Sequence, residues 1–178
     1  MSDDKVLFSN EWLELREMVV PSTGTPYVYV RGTKTDSISV AVLPYRISTY
    51  NKSREYILRR EIVPPWDSRK STVCSLTGGH DQETILDTAV KEVLEESGYV
   101  IDKSKLNSLG TSRLSKSSDY VCHLYVVEID ANTPYVEPEG DGSDLEEVAA
   151  CFWGTRTDIL NSPDPLLHIM MNRLTFGI

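Results

Sequence analysis

A chain of 178 residues can bury one core of ordinary size, and 40% hydrophobic with 25% charged residues is the make-up of a globule, not of a disordered or fibrous chain. No apolar run approaches the roughly 18 residues of a membrane span, and the opening MSDDKVLF lacks the apolar stretch of a secretory signal, so a cytoplasmic protein with no membrane partner is expected. A net charge of −9 without a basic stripe argues against a nucleic-acid partner.

The first 36 residues read as strands. LFSNEWLELREMVV is followed by a turn at PSTGTP and by YVYVRG, whose alternation suits a sheet, so a hairpin is expected. ISVAVLPY is a continuous apolar run of strand length that fits a core strand buried on both faces. REYILRREI reads as a second strand, the loop VPPWDSRK interrupts, and STVCSL reads as a third before a double glycine. The helix signal is strongest from Ile85 to Ser97: Thr84 is placed as N-cap with Asp87 three residues on, and Gly98 sits where a left-handed residue ends a helix. LNSLGTSRL, DYVCHLYVVEI and EVAACFW read as strands and DPLLHIMMNRL as a closing helix. Strands that flank and follow one central helix give a mixed α/β order and disfavour a doubly wound nucleotide fold.

The charge is uneven along this order. From Ser117 to Thr155 there are nine acids and no Lys or Arg, while elsewhere 18 acids balance 18 bases. Such a segment is a solvated loop or part of a cation site. Cys74, Cys122 and Cys151 are widely spaced and odd in number, which predicts reduced, buried thiols, and the scattered His80, His123 and His168 lack zinc spacing. Any metal would need oxygen ligands.

Those ligands are suggested by the central helix. Glu92, Glu95 and Glu96 fall within a sector of about 100°, beside an apolar arc of Leu86, Ala89, Val90, Val93 and Leu94. Like charges four apart, here Glu92 and Glu96, destabilise an isolated helix by roughly 0.2 to 0.5 kcal/mol, and Lys91 offsets little of that through Glu95. One reading is a solvated acidic face; the other is a Mg²⁺ site, because Mg²⁺ takes carboxylate and water oxygens and bridges substrate phosphates.

The longer pattern favours the second reading. Glu83, seven further residues, then Lys91-Glu92-Val93-Leu94-Glu95-Glu96-Ser97-Gly98-Tyr99 resemble the Nudix box, G-x5-E-x7-R-E-U-x-E-E-x-G-U, with U a bulky apolar residue. Lysine replaces the box arginine at Lys91, and an ammonium lacks the planar two-pronged grip of a guanidinium. Gly79 precedes Glu83 by three residues where the box has five, so Thr77 stands at the ungapped glycine position.

The resemblance implies a Nudix-type α/β/α sandwich over residues 37–178, with residues 1–36 as an N-terminal β extension. That extension before a V-A-V-L-P strand is similar to the ADP-ribose and nucleotide-sugar pyrophosphatase branch, which implies a homodimer built through the extra strands. The implied activity is Mg²⁺-dependent hydrolysis, with Mn²⁺ as the alternative ion, of a nucleoside diphosphate linked to a second moiety, giving NMP and a phosphorylated product. Glu92, Glu95 and Glu96 would be metal ligands, with Glu96 and Glu83 also assigned to catalysis. Within the late acidic loop GDGSDLEEV, Glu146 and Glu147 lead Asp141 and Asp144 as general base. Among Tyr45, Arg46, Arg59, Arg60, Trp66 and Arg69, all in strand or loop positions suited to substrate, Arg46, Arg60, Arg69 and Trp66 are taken as substrate contacts, together with Gly79. Hydrolysis of nucleoside triphosphates or dinucleoside polyphosphates, and nucleotide binding without turnover, remain the alternatives.

Overall fold

The computed structural model describes residues 4–82, 84–138 and 148–177. Its fold is mixed α/β, with helices on both faces of a large sheet and a smaller sheet before it. The smaller sheet is antiparallel and consists of β1 (Lys5–Ser9), β2 (Leu13–Val20) and β3 (Thr25–Gly32). The segment expected as one strand is therefore two. Asn10 breaks it, because its side-chain oxygen accepts from the backbone N–H groups of Trp12 at 2.9 Å and Leu13 at 2.8 Å and closes a tight turn. The expected hairpin, β2 with β3, thereby gains a third strand whose residues are all exposed.

The large sheet contains β4 (Ile38–Ile47), β5 (Arg54–Ile62), β6 (Ser71–Cys74), β7 (Leu76–Gly79), β8 (Asn107–Ser112), β9 (Val121–Glu128) and β10 (Ala150–Gly154). Its order is β10-β5-β4-β9-β8, with β6 paired to β5 and β7 to β4; β4 and β9 run parallel and the other pairs antiparallel. β4 forks. Its first half, Ser39 to Val42, pairs with β7, and its end, Tyr45 to Ile47, pairs with β5. Val40 to Leu43 have no exposed surface, as expected of a strand covered on both faces.

Val40 and Val42 face a core closed by α1 (Ile85–Ser97), where Ala89 and Val93 meet Ile57 and Leu76. Ala41 and Leu43 face the opposite core, closed by α2 (Arg156–Leu160) and α3 (Pro165–Phe176) through Ile159, Leu167, Met170 and Met171. Each of the buried Val, Leu, Ile and Met side chains among these stabilises the fold by about 1.5–3 kcal/mol. α2 hides in a polar stretch and is held by a capping box, in which Asp158 accepts from the Thr155 N–H at 2.7 Å and the Thr155 hydroxyl at 2.8 Å. Among the described residues no helix is long and apolar enough to cross a membrane.

Among the described residues the small sheet is tied to the segment that leads into β9. The Val30 N–H donates to Ser117 O at 2.9 Å, the Asp119 N–H to Val30 O at 3.1 Å, and the Tyr27 hydroxyl to Lys116 O at 2.7 Å.

Candidate active site

α1 forms where the capping chemistry puts it. The Thr84 side chain accepts from the Asp87 N–H at 3.1 Å, and Gly98 takes φ 75° and returns its N–H to Leu94 O at 2.9 Å. His80 anchors the start of the loop before it: its N–H donates to Ile38 O at 3.0 Å, and its Nδ1 lies 2.9 Å from Thr88 Oγ1. This fixes the turn that carries the acidic sector of α1 over β7 and β5.

The three glutamates meet different surroundings. Glu92 lies against Gly78 of β7, so closely that a Cβ on Gly78 would fall 1.8 Å from Glu92 Oε1. The bare backbone of Gly78 is a cradle for that carboxylate. Glu95 receives Lys91 at 3.5 Å, and Lys91 also donates to Asp81 at 2.6 Å. Burial pushes the Asp81 carboxyl up, but hydrogen bonds from Lys91 and Gln82 outweigh it and hold the group below the usual carboxylate range. The Glu96 side chain is only 6% exposed and pairs directly with the Arg59 guanidinium, itself 7% exposed. Arg59 also reaches Glu61 at 3.3 Å.

Arg59 arrives there by strand parity. Ile57, Arg59 and Glu61 alternate onto the α1 face of β5, and Ile57 packs in the core beneath α1. Across the sheet Arg59 stands opposite Cys151 of β10 and Cys74 of β6. Burial, and then the nearby Glu96 carboxylate, push the Cys151 thiol up to about 12; burial and Glu61 raise Cys74 further still. All three cysteines are free thiols; Cys74 and Cys122 are buried as expected, whereas Cys151 is only partly so.

The carboxylates suit a hard divalent ion by donor type. Among the described residues, however, no three His, Cys, Asp or Glu side chains are gathered closely enough to hold one. Arg59 and Lys91 engage Glu96 and Glu95 instead. Glu83, Glu146 and Glu147, with Asp141 and Asp144, lie outside the described residues.

The expected substrate contacts are scattered. Gly79 faces away from α1, against the Thr35 methyl, whereas its neighbour Gly78 lies under Glu92. Arg60 points to the other face of β5, stacked 4.4 Å from the Phe152 ring in the core beneath α2 and α3. Arg46 stacks 4.0 Å from Trp153 and donates to Glu55 at 2.7 Å. Arg69 is largely exposed and 3.7 Å from Asp67. Trp66, half exposed, lines an open groove of about 620 Å³ with Glu61, Thr77, Leu114 and Leu166. Glu61 joins that groove to the Arg59–Glu96 pair. Arg59 and Gly78, which are not among the expected substrate contacts, lie against the carboxylates of Glu96 and Glu92; the period of two in REYILRREI, phased on Ile57, is the sequence signal for Arg59.

Fold and site together define a two-faced α/β sandwich carrying an acidic helix over a forked strand pair. That architecture is similar to the crystal structure of an ADP compounds hydrolase, with a TM-score of 0.66 over 98% of this chain and 93% of that chain at 17% identity. The likeness is one of fold. No protein-family model and no curated protein matches the sequence.

Proposed function

We propose that the protein is a Nudix-type hydrolase that cleaves the diphosphate of a nucleoside diphosphate linked to a second moiety, with ADP-ribose or a nucleotide sugar as substrate. The observation that carries this reading is the Glu92 carboxylate seated over the bare backbone of Gly78, on the same helix sector as Glu95 and Glu96. The box pattern and a fold shared with an ADP compounds hydrolase support it.

Glu92, Glu95 and Glu96 would hold Mg²⁺ or Mn²⁺, which when bound neutralises diphosphate charge and activates water for attack. Arg59 is the guanidinium in direct contact with this carboxylate set, so it is the side chain best placed to meet an anionic phosphate there. Trp66 offers a flat apolar surface in the adjoining groove for a ring of the substrate, and the carboxylates of Glu61 and Asp164 on its wall exclude the diphosphate itself. A carboxylate of the acidic loop, Glu146 or Glu147, serves as general base. Three free thiols fit a reducing cytoplasm. The small sheet, with Val6, Leu7, Phe8 and Trp12 exposed at its outer part, is our candidate for a homodimer contact, which light scattering of the intact chain tests.

The test of activity is incubation with ADP-ribose and UDP-glucose in Mg²⁺, followed by detection of AMP or UMP. Product that forms with the wild type and disappears in Glu96→Gln supports the reading; product that persists undiminished in that variant rejects the assigned role. Binding without turnover is the second reading, favoured by Lys91 spending its charge on Asp81 and Glu95. It predicts nucleotide binding and no product. Triphosphates and dinucleoside polyphosphates in the same assay cover the remaining substrate classes.

A further inference from the structure

Between β5 and α1 two charged side chains are closely enclosed against each other, Arg59 of β5 and Glu96 of α1, 7% and 6% exposed. A buried carboxylate without a nearby positive charge is costly, so in the metal-free chain Glu96 needs a cation, and Arg59 is one in direct contact. A divalent ion liganded by Glu96 would bring a second positive charge onto the same group. The two compete for the same oxygens and repel one another. Arg59 also has a second carboxylate to turn to: Glu61, on the same face of β5, stands 3.3 Å away and is 26% exposed on the wall of the groove. Movement by a few ångströms toward Glu61 would leave the guanidinium paired. Lys91 cannot take this part, because it is engaged by Asp81 at 2.6 Å and lies 3.5 Å from Glu95.

We propose that Arg59 is the built-in counter-ion of Glu96, which a divalent cation has to displace toward Glu61, so that Arg59 both positions Glu96 and restrains metal uptake by the nucleotide-free protein. The inference rests on the metal ligands of the proposed function but not on turnover. Toward the metal, and apart from any contact with phosphate, Arg59 is accordingly a positioning residue, and a merely structural role for it predicts lower stability in its variants without tighter metal binding.

The experiment is Mn²⁺ titration of the nucleotide-free, full-length chain by calorimetry, in the wild type, Arg59→Met and Arg59→Lys. Removing a charge in contact with a ligand oxygen is expected to tighten Mn²⁺ binding about tenfold or more in Arg59→Met, given an effective dielectric near 20. The same variant melts lower without metal and gains more from metal than the wild type does. Arg59→Lys, which keeps the charge, is expected to stay near the wild type. Equal or weaker Mn²⁺ binding by Arg59→Met, or no Mn²⁺ binding by any of the three, overturns the proposal. Should Arg59→Met not fold, NMR of the arginine side-chain Nε–H groups in the wild type decides, with Arg59→Lys identifying the Arg59 signal. That signal is expected to shift and to exchange faster with solvent as Mg²⁺ is added, and an unchanged signal overturns the proposal. Absence of hydrolysis alongside tighter Mn²⁺ binding by Arg59→Met would remove the catalytic reading and leave this one standing; hydrolysis with unaltered Mn²⁺ affinity would do the reverse.

Discussion

Gly78→Ala separates the site from the fold. The new methyl carbon would lie 1.8 Å from Glu92 Oε1, 2.0 Å from its Cδ and 2.5 Å from Oε2, so the carboxylate has to leave. It is the far end of a flexible side chain, and no backbone atom is among these nearest neighbours, so the strand itself has no reason to shift. In stability terms two small effects oppose each other. Alanine in a strand interior removes roughly 0.5–1 kcal/mol of the entropic penalty that glycine carries, while an off-rotamer Glu92 costs about 0.5–1.5 kcal/mol. The net change is expected within about 1 kcal/mol, or about 2–4 °C in Tm for a chain of 178 residues. Under the proposed function Glu92 is itself a ligand, so its displacement is expected to cost at least the roughly 10- to 100-fold in metal affinity or activity that loss of a ligand's supporting partner costs. Thermal melting and Mn²⁺ calorimetry, followed by the mononucleotide assay, read the two effects apart. A variant with unchanged metal affinity and activity would refute the cradle, and so would one whose loss of function simply tracks a collapse in Tm. Gly98→Ala is the control for fold damage, since φ there is 75° and a Cβ would sit 2.1 Å from the Val136 carbonyl oxygen.

Asp164→Ala is expected to destabilise the chain by about 3 kcal/mol in urea melts. The buried carboxylate caps α3 at the Leu166 N–H, 2.8 Å away, and accepts from both the N–H and the hydroxyl of Ser75 at 2.8 and 2.7 Å. The thiols of Cys74, Cys122 and Cys151 are all pushed up by burial, so a thiol reagent at pH 8 should leave native protein unlabelled and take three equivalents once it is unfolded. On the acid side, the Asp87 carboxyl is held below the usual range by Thr84 and Lys103, and Asp158 by the Thr155 N–H and hydroxyl. A lowered folded value means stability that is complete above the unfolded aspartate pKa of about 3.9 and is lost as pH falls through the folded values. Tm should therefore be level down to about pH 5 and fall below about pH 4, less steeply in Asp158→Asn.

What was legible in the sequence follows from how local its cause is. Caps, turns and apolar runs act over a few residues, so α1 was bounded at Ile85 and Ser97 by Thr84 and Gly98, and β4 by its unbroken apolar run. The Asn10 turn that divides the first strand is equally local, but Asn10 sits inside an apolar pattern that hides it. α2 is only five residues long, too short for any periodicity to show.

The candidate site was legible in its helix and not in the surface beneath that helix. Glu92, Glu95 and Glu96 are neighbours because a helix turns every 3.6 residues, which the sequence alone dictates. Which basic side chain meets them depends on sheet register, and register is fixed by pairings between strands far apart in the chain. Arg59 and Arg60 are adjacent and chemically identical, yet one is enclosed against Glu96 and the other stacks on Phe152 across the sheet. A single step along β5 exchanges those fates. The same parity rule puts Gly78 under Glu92 and turns Gly79 toward Thr35. The phase can be taken from Ile57 and Leu76, whose burial beneath α1 forces residues two and four places on to share that face. Alternation from a buried apolar neighbour is therefore a better guide to the residues facing this acidic helix than the choice of residues by chemical type.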